Sequence, residues 1–168
     1  MTNPMLPVAL ATTLLASGLA NASTPMTFIE AITAAESQFG GEAFDAERYT
    51  QGGRDYFEID VLSSREIYEA EFDAQTGRLI DWDSYNRPRR ARYIAAALKR
   101  ARLPLMEAIF TALEAKGPGA TAIDADILLS RDRRRNGRRY EVDVRTDDGV
   151  FEVVINALNG RIVRISRD

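Results

Sequence analysis

The sequence predicts an α+β protein made of two tandem repeats, each with one helix packed on a four-stranded antiparallel sheet, joined by a short helical connector. Three observations carry this reading. Residues 57 to 83 align without a gap on residues 140 to 166. Each aligned stretch is preceded by apolar residues at helical spacing that run into glycine. Within each stretch the apolar period drops to two, interrupted by turn-forming residues. Seven of the 27 aligned positions are identical, where unrelated chains of average composition would share about two. They are Glu58/Glu141, Asp60/Asp143, Val61/Val144, Glu69/Glu152, Ala74/Ala157, Gly77/Gly160 and Arg78/Arg161. Further upstream, Glu30-Ala31-Ile32 matches Glu107-Ala108-Ile109 at an offset of 77 in place of 83, so the second copy carries an insertion before its second strand.

In the first copy, Thr27 with Glu30 three residues on has capping-box spacing, and Phe28, Ile29, Ile32 and Phe39 form an apolar stripe that ends at Gly40-Gly41. Strands follow near 43–50, 55–62, 66–72 and 78–83, with turns at Gln51-Gly52-Gly53, Ser63-Ser64-Arg65 and Asp73 to Gly77. In the second copy, Pro104 suits a first helical turn, Leu105, Met106, Ile109, Phe110 and Leu113 make the stripe, and Gly117-Pro118-Gly119 stops it. Its strands fall near 123–134, 138–145, 150–155 and 161–167, with Asn136-Gly137 as a type I′ hairpin signal. Ala91 to Arg102 reads as a connector helix that turns Tyr93, Ile94 and Leu98 toward a core. Alternation sets Phe57, Ile59 and Val61 against Glu58 and Asp60, and Tyr140, Val142 and Val144 against Glu141 and Asp143, so the apolar face lies under the helix.

Met1 to Ala22 contains no charged side chain, and its apolar run from Val8 to Leu19 is too short to span a bilayer. With Ala20-Asn21-Ala22 behind it, the segment reads as a signal peptide cleaved before Ser23, which implies a periplasmic or secreted protein. The domain reading is therefore signal peptide 1–22, first repeat 23–84, basic connector 85–102 and second repeat 103–168.

The chain has no His and no Cys. That removes disulfides, thiolate or imidazole metal ligands, Ser-His-Asp and Cys-His arrangements and the usual general base near neutral pH. The expectation is a non-catalytic protein with no cofactor and no resident metal. Net charge is −3, yet it is divided unevenly. Residues 23–84 carry 14 acids and 4 arginines, net −10, and residues 85–168 carry 11 acids and 18 bases, net +7. Such a division suits repeat-to-repeat docking, head-to-tail association or two differently charged partners. The basic residues gather in the connector and around the Asn136-Gly137 hairpin, Arg134 and Arg138 among them, with no interleaved aromatic series of the kind that stacks nucleic-acid bases.

The helix with Glu30-Ala31-Ile32, the strand Phe57-Glu58-Ile59-Asp60-Val61 and the turn Asp73-Ala74-Gln75-Thr76-Gly77-Arg78 together resemble the PepSY domain. The second copy reads Tyr140-Glu141-Val142-Asp143-Val144 and Asn156-Ala157-Leu158-Asn159-Gly160-Arg161, with Asn in place of both Asp and Thr in the turn. PepSY domains occur in metallopeptidase propeptides and exported bacterial proteins, so the resemblance implies a protein-binding module that inhibits or regulates a peptidase or other envelope protein. Asp73, Gly77, Asn156 and Gly160 read as structural turn residues: the polar side chains accept backbone N–H groups and the glycines take positive φ.

For a binding surface, alternation places Val150, Val154 and Ile162 opposite Phe151, Val153 and Ile155, with Ile67 and Leu79 at the positions in the first repeat that match Val150 and Ile162. These five form the expected protein-binding patch, rimmed by Arg134 and Arg138, unless the two sheets cover each other there. The alternative is a small-ligand or cation-binding module built on carboxylates of the acidic first repeat, for which Glu58/Asp60 is the candidate pair, repeated as Glu141/Asp143.

Overall fold

Thr27 opens the first helix as its spacing predicts. In a computed structural model that describes residues 24–130 and 137–168, its hydroxyl accepts the Glu30 N–H at 3.2 Å and its own N–H donates to the Glu30 carboxylate at 2.7 Å. Helix α1 (Phe28–Phe39) ends at Gly40, whose φ of 62° lets its N–H close on the Glu36 carbonyl at 2.9 Å. It buries Phe28, Ala31, Ile32 and Ala35, the i, i+3, i+4, i+7 stripe of a helix lying on a sheet. Helix α3 (Leu105–Lys116) repeats that spacing with Leu105, Ala108, Ile109 and Ala112. Small residues at two of the four positions in each helix let the backbone sit close to the strands beneath.

The strands are β1 (Glu42–Gln51), β2 (Arg54–Ser63), β3 (Glu66–Asp73), β4 (Leu79–Tyr85), β5 (Thr121–Ile127), β6 (Arg139–Thr146), β7 (Gly149–Asn156) and β8 (Ile162–Arg167). All but one lie close to their sequence-based positions. The exception is β5, expected to run to residue 134, which ends at Ile127. Beyond it Leu128 donates to the Arg139 carbonyl at 2.9 Å, and Gly137 donates back to Leu128 at 3.2 Å. Gly137 holds the expected positive φ, 67°; Asn136, the other half of that turn, lies outside the described residues.

The eight strands form one antiparallel sheet in the order β4-β3-β2-β1-β5-β6-β7-β8. This departs from two sheets covering each other face to face. The repeats join edge to edge, through β1 and β5, with Asp45 opposite Asp126, Ala46 opposite Ala125 and Glu47 opposite Asp124. A pseudo-twofold axis therefore passes the sheet at the Ala46/Ala125 pair. Both copies carry a bulge at matching places, between Ala43 and Asp45 and between Ala122 and Asp124. A second matching pair of bulges lies between Glu71 and Phe72 and between Val154 and Ile155.

Helices α1 and α3 lie side by side on the inner face, over Phe57, Ile59 and Val61 in one repeat and Tyr140, Val142 and Val144 in the other, as alternation predicts. One continuous apolar core runs under both. The connector helix α2 (Pro88–Leu98) takes the opposite face. It packs on β2 and β3, brings the Arg90 guanidinium to 3.9 Å from the Asp60 carboxylate, and buries Ala91, Ile94, Ala97 and Leu98. Its far end rests on the second repeat at Gly137.

Gly137 has two reasons to be glycine: its positive φ, and a site where any Cβ would overlap the backbone of Ala97. Gly137→Ala must push α2 off the second repeat. It should cost about 2–4 kcal/mol of stability, measured by chemical denaturation.

Candidate functional site: a ranked acidic sheet face

On the face opposite α1 and α3, the cross-strand register lines up carboxylates in two parallel ranks. The first rank runs Asp83, Glu69, Asp60, Asp45, Asp126, Glu141 across β4, β3, β2, β1, β5 and β6, and then continues as Val154 and Arg164. The second runs Asp81, Glu71, Glu58, Glu47, Asp124, Asp143, Glu152 and ends at Ser166. Neighbouring strands are about 4.8 Å apart, so each carboxylate inside a rank has another on either side, and those at the ends have one. Glu58/Asp60 and Glu141/Asp143, which the sequence singles out as pairs, are members of these longer ranks.

The physical consequence is a suppressed charge. Burial and the neighbouring Asp45 push the carboxyls of Asp60, Asp124 and Asp126 up to about 7. Asp45, Glu58, Glu141 and Asp143 are also raised, burial again leading and adjacent carboxylates adding to it. Among the described residues, the ion pairs that touch the ranks are Arg90 with Asp60 and Arg164 with Glu152. Asp60 Oδ1 is buried there without a hydrogen-bond partner. No three acidic groups among the described residues converge as a metal site would require; the ranks spread the oxygens along lines.

The inner face has a cleft of about 990 Å³ between the start of α1 and the end of α3, walled by Met26, Phe28, Phe57 and Leu113. Its charged pair, Arg48 with Asp55 at 2.7 Å, is held by the Thr50 hydroxyl, which donates to Asp55 at 2.6 Å. That engagement keeps the Asp55 carboxyl below the usual range, Thr50 contributing most and Arg48 next.

The five apolar residues expected to form one outward patch are separated. Ile67 is buried on the outer side, where α2 crosses. Val154 is on that side too, only 2% exposed between Glu141 and Arg164, and Val150 is half-buried opposite Arg145. Leu79 and Ile162 pair with Phe72 and Ile155 on the inner side. The bulges cause this, because each inserts a residue that reverses the alternation on which the patch was built. Arg138 is exposed at the foot of β6, and Arg134 lies outside the described residues.

A family model described as "Peptidase propeptide and YPEB domain", PepSY, matches residues 25–83 and again residues 102–165. The chain belongs to the PepSY family. PepSY domains are generally non-catalytic modules related to peptidase propeptides, and this chain holds two in tandem. Among solved structures, a candidate lipoprotein from Clostridium difficile 630 shares the fold, with a TM-score of 0.51 at 10% identity over 89% of this chain and 98% of that one. A search of curated proteins found no match. The PepSY turns close on themselves. Asp73 accepts the Thr76 N–H at 2.7 Å and its hydroxyl at 2.8 Å, and Gly77, at φ 68°, donates to the Asp73 carbonyl. Asn156 accepts the Leu158 N–H at 2.9 Å, and Gly160, at φ 70°, donates to the Asn156 carbonyl.

The raised carboxyls fix the sign of the pH dependence. A carboxyl raised in the fold stays protonated while its unfolded counterpart, near 4, ionises, so stability is highest below about pH 4 with respect to these groups and is lost as pH rises toward 7. Asp126 stands between Asp45 and Glu141. Asp126→Asn should therefore raise stability at pH 8 by about 1 kcal/mol or more and change it little at pH 4, read from denaturant melts at the two pH values.

Proposed function

We propose that this PepSY protein is an exported, non-catalytic binding module whose ranked acidic face engages a basic surface on another envelope protein, such as a peptidase it regulates. The two carboxylate ranks carry the reading. A surface that holds so many acids at raised pKa values is poised to gain when cations displace the protons or relieve the repulsion. The chain's own connector offers the internal precedent: α2 is rich in arginine, and Arg90 reaches Asp60 from it. The family and the structural neighbour, itself titled a candidate lipoprotein, both fit an exported protein, and no helix among the described residues is long and apolar enough to cross a membrane. In this reading residues 1–22 are the export signal, residues 23–84 and 103–168 the two domains and 85–102 the connector. Intact mass of protein recovered from the envelope or the medium should then begin at Ser23; a retained Met1 to Ala22 segment contradicts it.

The test of the binding face is a triple variant, Glu47→Gln, Glu58→Gln and Asp124→Asn, which neutralises adjacent positions of one rank. Proteins captured from envelope extracts by the wild-type chain should be lost by the variant, and binding kinetics with a captured protein should show association slowed about tenfold, with a weaker salt dependence. Equal capture and equal kinetics would reject the acidic face as the recognition surface. Calorimetry with Ca²⁺ on the same pair of proteins separates protein binding from the cation-binding alternative.

A further inference from the structure

Among the described residues both ends of the eight-stranded sheet are open, since there β4 pairs only with β3 and β8 only with β7. The two edges are complementary. On the outer face β4 carries Asp81 and Asp83, whereas β8 carries Arg164 there, with Arg161 just before the strand and Arg167 at its end. On the inner face each edge leaves an apolar side chain about half exposed, Trp82 at 55% on β4, beside Phe39 and Tyr68, and Ile165 at 44% on β8. We propose that β8 of one copy adds antiparallel to β4 of a second copy, head to tail, with Arg164 against Asp83 and Ile165 against Trp82.

The register follows from the backbone. Strand direction alternates along the sheet, so β4 and β8 run antiparallel, and a copy displaced sideways presents its β8 antiparallel to the next β4 with the acidic face on the same side. On β4, the N–H groups of Trp82 and Ser84 donate to the carboxylates of Asp81, at 2.9 Å, and Asp83, at 2.7 Å. On β8, Asp168 donates to the Val150 carbonyl at 3.1 Å, so alternation turns the N–H group of Ile165 toward the open edge. Setting Trp82 opposite Ile165 makes a hydrogen-bonded pair of two edge-facing residues. The same register sets Arg164 opposite Asp83 and Ser166 opposite Asp81, and both ranks run on from copy to copy.

Asp81 and Asp83 deter a neutral strand, because their carboxylates occupy the edge N–H groups and lose solvent on pairing. A strand that brings arginine to the same place compensates that loss. The seam between the repeats is this contact made once already, without the charge complementarity: β1 and β5 meet edge to edge although acids face acids across them. The proposed interface uses two different surfaces, so it leaves a free β4 and a free β8 at the ends and the assembly grows openly.

Trp82 is the single tryptophan of the chain, which makes the contact visible in the unmodified protein. Its emission should shift to the blue as concentration rises, in step with a weight-average mass from sedimentation that passes beyond the dimer, and high salt should reverse both. Asp83→Arg and Arg164→Asp should each weaken association about tenfold or more. An equal mixture of the two, or the double variant, should regain it, because the reversed charges again face each other. Ser84→Pro, which removes one edge N–H and leaves the charges intact, should also abolish assembly, and a thermal melt of each variant reports that the fold survives. A mass that stays monomeric with unchanged emission at every soluble concentration overturns the proposal, as does an oligomer indifferent to both charge reversals.

Discussion

The antiparallel contact between β1 and β5 sets everything else in this molecule. Each repeat by itself is one helix on four strands, a unit of about sixty residues whose core is thin. Joining the two at the Ala46/Ala125 pair places α1 beside α3, merges their cores and converts two inner edges into central strands. It also decides what the other face looks like. Because the seam keeps strict register, the acidic positions of one repeat continue those of the other, and two short alternating patterns become two ranks that cross most of the sheet.

Those ranks carry an energetic cost that the rest of the structure contains. Two unit charges about 5 Å apart repel by about 3 kcal/mol at an effective dielectric of 20, more than twice the 1.4 kcal/mol that one pKa unit represents. The central carboxyls accordingly hold their protons toward neutral pH, burial leading and this repulsion adding to it. Helix α2 crosses this face with Arg90 at Asp60. It also ties the repeats a second time, since its end rests on Gly137 while its body packs on β2 and β3. The connector is therefore part of the fold and not a loose tether.

The pseudo-twofold is imperfect, and its exceptions fall in the second repeat. Where the first repeat has Glu71 and Asp81 at the end of a rank, the second has Val154 and Arg164, and Ser166 stands where the first has Asp83. Charge thus falls away toward β8 and ends in arginine. On the outer face the sheet passes from Asp81 and Asp83 on β4 to Arg164 on β8, whereas most of the bases behind the second half's net +7 belong to the connector and to residues 131–139.

By itself the sequence determined the repeat, the helix with its capping box at Thr27, the strand positions from β1 to β4 and from β6 to β8, the glycine turns and the apolar strand faces. These are local properties, fixed by side-chain period, capping chemistry and backbone freedom, and each is written within a few residues. It also pointed to the family, because the PepSY pattern is made of such local signals. The tertiary structure decided how the repeats meet. Edge pairing at β1 and β5 depends on which backbone groups remain unpaired after each sheet forms, a fact spread over the whole chain. The bulges at Glu71/Phe72 and Val154/Ile155 add a residue without leaving a turn signal, and that single step moved Leu79 and Ile162 to the inner face and dissolved the expected patch. The acidic face was visible only as pairs, Glu58/Asp60 and Glu141/Asp143; the ranks that join them exist because cross-strand register, which no single strand encodes, sets side chains from eight strands in line.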